Sequence, residues 1–427
     1  MAPVATADNA SSNGSALKGL AAAKVFNPFY SPSAGDENDK DYKYANYKPY
    51  FPDLKWEPLG EQAVTDRGLF ADSDKKALFS AAAKVQHLTP AIGTEITGLD
   101  LRQLSNTQKD ELALLVAERG VVFFRDQEIS IHEQLELARH FGPLHKHATT
   151  PVPREPGLEE VHVVYNDSSR RPDSTTFSKL ELWHSDVSYE IQPPSTTSLK
   201  VITGPPYGGD TLWSSGYALY SSFSPGFQKY LEGLSAVHSA VAQADGSRAA
   251  GFTVRREPIE TVHPVVRVHP ATGWKSVYVN PGFTRRIVGL PKAESDAVLD
   301  LLFRQISENP DFQGASSPFL RRHPPALSPP LPPPPPPPPP AERPASPRAP
   351  GADSLTQVVT HSATFDFWPH TRHALRATPH GERPTSVAAY EQGGKAAKDR
   401  QVEIWAREGL EVQQGASGVG KVRGYND

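Results

Sequence analysis

The triplet His184-Ser185-Asp186 and a distant block holding His361, Arg372 and Arg376 put metal-ligating and anion-gripping residue types in one chain. On an extended strand, residues i and i+2 face the same side, so His184 and Asp186 can offer an imidazole nitrogen and a carboxylate oxygen to a single ion. A second histidine would complete a face of two imidazoles and one carboxylate on an octahedral metal. Three positions then stay open, the arrangement that suits non-haem Fe(II) and its oxygen chemistry. Guanidinium groups such as those of Arg372 and Arg376 grip a carboxylate or sulfonate through two parallel hydrogen bonds. The 427 residues include no cysteine, which excludes disulfides and thiolate metal sites and leaves histidine and carboxylates as the strong ligands.

Fifteen histidines offer many false ligands. His132, His140, His263, His269, His323, His370, His373 and His380 take the structural reading by default, as core or surface residues. His184 and Asp186 differ, because a buried charge on a strand is costly unless it is paired or metal-bound.

Several stretches around these residues resemble one family. Leu182-Trp183-His184-Ser185-Asp186-Val187, the turn Gly208-Gly209-Asp210-Thr211-Leu212-Trp213 and the block from His361 to Pro384 are similar to the taurine dioxygenase family of Fe(II)/2-oxoglutarate-dependent oxygenases. Residues 92–100, 121–127 and 280–284 match in the same order, and the resemblance covers residues 85–312 and 358–390. A bare H-x-D is weak, whereas the ordered set is specific.

The resemblance implies a double-stranded β-helix, or jelly roll, of the clavaminate synthase-like kind, mainly β with flanking helices. It makes His184, Asp186 and His361 the ligands of Fe(II), with His370 as the fallback for the distal histidine. Thr211 and Arg372 would hold 2-oxoglutarate. His147 and Arg376 would face the anionic group of the substrate against an apolar wall at Phe283. With O2, such an enzyme converts 2-oxoglutarate to succinate and CO2 and hydroxylates a small organic anion, an alkylsulfonate such as taurine being the first choice, with release of sulfite. An alkyl sulfate or an aryloxyalkanoate would satisfy the same arginine. Near Leu180 and residues 240–244 the chain departs from the taurine-binding pattern, losing one polar and one aromatic contact.

These residues need elements to carry them. Residues 1–20 are rich in Ala, Ser, Asn and Gly and read as a disordered N-terminus. Residues 21–84 read as an extension, its tyrosines Tyr42, Tyr44, Tyr47 and Tyr50 laid over the core. From 85 to 390 apolar runs alternate with turn signals. A helix is predicted over 107–120, capped by Thr107-x-x-Asp110 and stopped by Gly120, and another opens at Ser130-x-x-Glu133. Strands are predicted at 121–124, 161–165, 198–202, 262–268 and 277–280, and an amphipathic helix at 294–306. Residues 391–427 form a tail.

The pattern breaks between 313 and 357, where residues 332–340 are all proline. Proline donates no backbone hydrogen bond and cannot join a sheet interior. The family's Trp-Asp-Asn-Arg strand ahead of the distal histidine has no counterpart here, so the tract is expected to replace a core strand and to impair folding or Fe(II) binding.

A net charge of −4 and the lack of a basic stripe argue against nucleic-acid binding. No run is long enough to span a bilayer and no signal-peptide pattern opens the chain, so a cytoplasmic location is expected. A homo-oligomer is compatible with the sequence. The competing reading is a catalytically dead module acting through its proline run on a groove of the SH3 or WW type.

Overall fold

The computed structural model describes residues 42–165, 183–204, 210–316, 355–360, 364–367 and 373–407. His361, Arg372, His370, Leu180 and the proline run therefore lie outside the described residues.

A seven-stranded sheet organises the fold, in the order Lys84–His87, Thr94–Thr97, Val121–Arg125, Leu355–Thr360, Thr196–Thr203, His373–Ala377, Val161–Tyr165. Neighbours are antiparallel except for the pair Thr94–Thr97 and Val121–Arg125. A smaller sheet has Thr211–Ser215 between Gln313–Ser316 and Thr364–Phe367, and another has Ser235–Ser239 between Glu260–Pro264 and Thr284–Ile287. Helix and sheet are thus mixed, and the described strands form open sheets rather than a closed barrel.

Local sequence explains the elements. Helix Asn106–Arg119 starts at Ser105, whose side chain accepts from Gln108 N while the Gln108 side chain accepts from Ser105 N. This reciprocal box begins two residues before the predicted Thr107 cap. Asp110 is instead drawn into a bidentate pair with Arg67, at 2.7 Å for each bond. Gly120 ends the helix at φ 73°, and a Cβ there would meet Ile92 Cγ1 and Thr364 Oγ1 at 2.9 Å each. The box predicted at Ser130 and Glu133 is present on helix Ile131–Phe141. Leu112, Leu115 and Val116 bury one face of the first helix against Val122 and Phe124 of the following strand, each burial contributing roughly 2 kcal/mol.

One expectation fails. The sequence between 313 and 357 does not cost the sheet a strand, because Gln313–Ser316 pairs with Thr211–Ser215 and Leu355–Thr360 is laddered on both sides, to Val121–Arg125 and Thr196–Thr203. The reason is that ladder bonds come from backbone groups. Leu355-Thr-Gln-Val-Val-Thr360 carries the β-branched residues that a pleated central strand accepts, and the missing motif concerned side chains only.

Residues 42–66 cross over the sheet as a strap. Tyr42 Oη bonds Thr203 Oγ1 and His373 Nδ1 at 2.8 Å each, and Pro49–Tyr50 pairs with Val152–Pro153. Trp56 donates its N–H to Arg255 O at 2.6 Å and its ring lies under the Arg255 guanidinium, 4.9 Å from it.

Candidate active site

His184 and Asp186 do not lie on a regular strand as predicted. His184 makes a single bridge and Asp186 begins a turn over 186–189, in which Val187 takes φ 38°. A β-branched residue in that region is strained, and such strain persists where surrounding structure imposes it. The turn still converges the pair: His184 Nε2 lies 3.3 Å from Asp186 Oδ1, with both side chains largely buried.

A polar network fixes this turn. Ser188 Oγ lies 2.9 Å from His238 Nδ1 and accepts from Asn280 Nδ2 at 2.9 Å. Asn280 Oδ1 accepts the Phe283 N–H at 2.9 Å, holding the 280–284 turn beside the histidine. There Phe283 sits edge-on to the His184 ring at 6.3 Å and to Tyr189 at 5.0 Å. Gly282 is the closest approach, since a Cβ would stand 3.1 Å from His184 Cβ.

Arg376, on strand His373–Ala377, is 2 % exposed. Its Nη2 donates to Asp186 Oδ2, to which Thr197 Oγ1 also donates at 3.4 Å. His147 belongs to the same cavity. Its Nδ1 accepts from Thr149 N at 3.2 Å and Thr150 N at 3.4 Å, so the ring proton resides on Nε2. Burial, followed by the proximity of His162, His145 and Arg255, holds the His147 pKa well below 6.5. Arg255 braces that loop by donating to His147 O at 2.7 Å. Beneath it, His145 Nε2 meets Glu190 Oε1 at 3.0 Å with Arg256 Nη2 3.8 Å away. Burial alone would raise the Glu190 carboxyl, but the His145 hydrogen bond and the nearby cations bring it below its ordinary value.

His145, His147, His162, Asp186, Val187 and Thr378 line a residual cavity of about 10 Å³, the room of one water. Asp186, on its wall, carries the Arg376 hydrogen bond. Thr211 opens its strand fully buried, 1 % exposed. Of the predicted residues, the structure brings His184, Asp186, Arg376 and Phe283 together, with His147 on the same cavity. His361 and Arg372 lie outside the described residues. Sequence reasoning missed Thr197, His162, Ser188, His238 and Asn280. His162 carried a local signal, a polar residue within the apolar run Val161-His-Val-Val-Tyr165, and Asn280 lay in the matched stretch 280–284.

The donor chemistry fits a metal in part. Two ligands of the required types converge at 3.3 Å, and no third His, Cys, Asp or Glu joins them among the described residues. His361 is the residue that would supply the remaining imidazole.

A buried imidazole–carboxylate pair with an arginine turned onto it thus lies beside a mixed sheet. The chain belongs to the taurine catabolism dioxygenase TauD/TfdA family, whose model matches residues 84–314, and is a 2-oxoglutarate-dependent dioxygenase. It is 36 % identical over 358 residues to the alpha-ketoglutarate-dependent sulfonate dioxygenase of Saccharomyces cerevisiae, covering 80 % of this chain and 79 % of that one. To the alpha-ketoglutarate-dependent dioxygenase cnsP of Penicillium expansum it is 43 % identical over 281 residues, 63 % of this chain and 75 % of the other. Among solved structures, a taurine dioxygenase from Burkholderia xenovorans superposes with a TM-score of 0.53 at 25 % identity, covering 72 % of this chain and 93 % of that chain. No helix among the described residues is long and apolar enough to cross a membrane.

Proposed function

We propose that this enzyme hydroxylates a small organic anion, with an alkylsulfonate as the first choice, and that its sheets form the jelly roll of the family. The observation that carries this reading is the contact of the buried Arg376 guanidinium with Asp186, whose other oxygen faces His184. An anion-binding cation and a metal-binding pair occupy one spot.

The residues divide the work. His184, Asp186 and His361 would hold Fe(II), which with 2-oxoglutarate and O2 supplies the oxidising chemistry. Thr211 and Arg372 would orient the far carboxylate of 2-oxoglutarate. Asp186 committed to a cation no longer needs Arg376 as counter-ion. The guanidinium would face the substrate's anionic group, beside the Nε2–H of His147 and against Phe283. A neutral analogue offers that buried cation no opposite charge, a penalty that exceeds the loss of a methylene.

The test is an anaerobic Fe(II) and 2-oxoglutarate titration followed by visible absorption. A panel of alkylsulfonates, alkyl sulfates, aryloxyalkanoates and neutral analogues is then scored by succinate and sulfite release. Expected are Fe(II)-dependent succinate, sulfite from sulfonates, and at least tenfold lower kcat/KM for neutral analogues. Asp186→Ala should abolish turnover. Equal turnover of a sulfonate and its neutral analogue, or full activity of Asp186→Ala, overturns the assignment.

A further inference from the structure

His162 is not among the anion contacts carried by the family resemblance, yet its position is telling. On strand Val161–Tyr165 it registers directly against Arg376 of the neighbouring strand. It lines the cavity shared by His147 and Asp186, its ring 5.5 Å from that of His147. Its Nε2 is buried and has no hydrogen-bond partner. Buried polar atoms are nearly always paired, and an orphan is destabilising unless it is kept for a ligand. Burial, and next the Arg376 charge, push its pKa down to about 3. The ring is thus neutral, able to give one N–H without adding a third charge.

We infer that His162 is a specificity-determining residue that donates its Nε2–H to the substrate's anionic group, completing a three-donor cradle with His147 and Arg376. This rests on the organic-anion reading above. Three donors around one small volume match the three terminal oxygens of a sulfonate or sulfate ester, which form a tripod. A carboxylate presents two oxygens in a plane and leaves one donor idle. The cradle therefore selects sulfur oxyanions over carboxylates of the same chain length.

The experiment uses the full chain loaded anaerobically with Fe(II) and 2-oxoglutarate. Hexanesulfonate and hexanoate are titrated calorimetrically into the parent, His162→Gln and His162→Ile, and kcat and KM are measured for the sulfonate in air. His162→Ile should weaken hexanesulfonate binding about tenfold or more, chiefly in KM, while hexanoate binding changes less than twofold. His162→Gln, which keeps an N–H at that position, should recover part of the loss and guards against a folding defect in the isoleucine variant. Unchanged sulfonate affinity in both variants, or an equal loss for both ligands, overturns the role of His162 while leaving the proposed function intact. A parent that binds no sulfonate or sulfate ester overturns the inference together with the reading beneath it.

Discussion

At the scale of single residues, the site depends on atoms that touch no metal. Gly282 admits the 280–284 turn to within van der Waals range of His184 Cβ, and Asn280 ties that turn to Ser188. Gly282→Ala should push His184 by a few tenths of an ångström and lower Fe(II) affinity on the order of tenfold, the range seen when residues behind a ligand are altered. The melting temperature should hardly move, since the added methyl would meet His184 Cβ at 3.1 Å and Asn280 Oδ1 at 3.3 Å, while the Trp183 carbonyl stays at an ordinary 3.6 Å. An Fe(II) affinity equal to the parent's would contradict this. The spacing of His184 and Asp186 was legible because it lies within three consecutive positions. Asn280, Ser188, His238 and Thr197 were not. Their roles arise from contacts between residues 11 to 92 positions apart, and although Asn280 lies in the matched stretch 280–284, its partner does not show there.

At the scale of elements, helices were the easiest to read, because caps such as Ser130 with Glu133 are local chemistry. The cap of Asn106–Arg119 was misplaced since two overlapping boxes compete and Asp110 is claimed by Arg67. The central strand Leu355–Thr360 was misjudged because the expectation followed a side-chain motif, whereas the ladder asks only for backbone groups and extended geometry. Two expectations separate these views. Val358→Pro removes a donor from a strand paired on both sides and should destabilise the protein by about 3 kcal/mol or more, read as a fall in urea midpoint. Excising residues 324–350, whose flanking strands are both in place, should change stability by only about 1 kcal/mol, the modest effect of loop length on closure entropy, and should preserve turnover. Collapse of the shortened chain would show that the tract contributes structure.

At the scale of the whole molecule, buried neutral histidines make the fold sensitive to acid. Burial is the main cause that lowers His263, His373 and His380 to about 4 and His269 to about 3, from an ordinary value of 6.5. Below pH 6.5 the unfolded chain binds protons that the native state refuses. Stability is therefore complete above about pH 6.5 and is lost as the pH falls toward 4, each histidine adding a slope of up to about 1.4 kcal/mol per pH unit. Urea midpoints measured from pH 8 to 4.5 should fall steeply below 6.5, with uptake of several protons on unfolding. A flat profile across that range would refute the expectation.

The strap of residues 42–66 also sets a schedule for synthesis. Tyr42 leaves the ribosome early, but its partner His373 follows 331 positions later. At about 5–20 residues per second, that interval lasts some tens of seconds. Throughout it the tyrosine-rich segment has no imidazole to bond, and Trp56 waits on Arg255 for much of the same time. The strap is thus completed late, and a nascent chain halted before residue 255 carries Trp56 still undocked, a natural handle for chaperones.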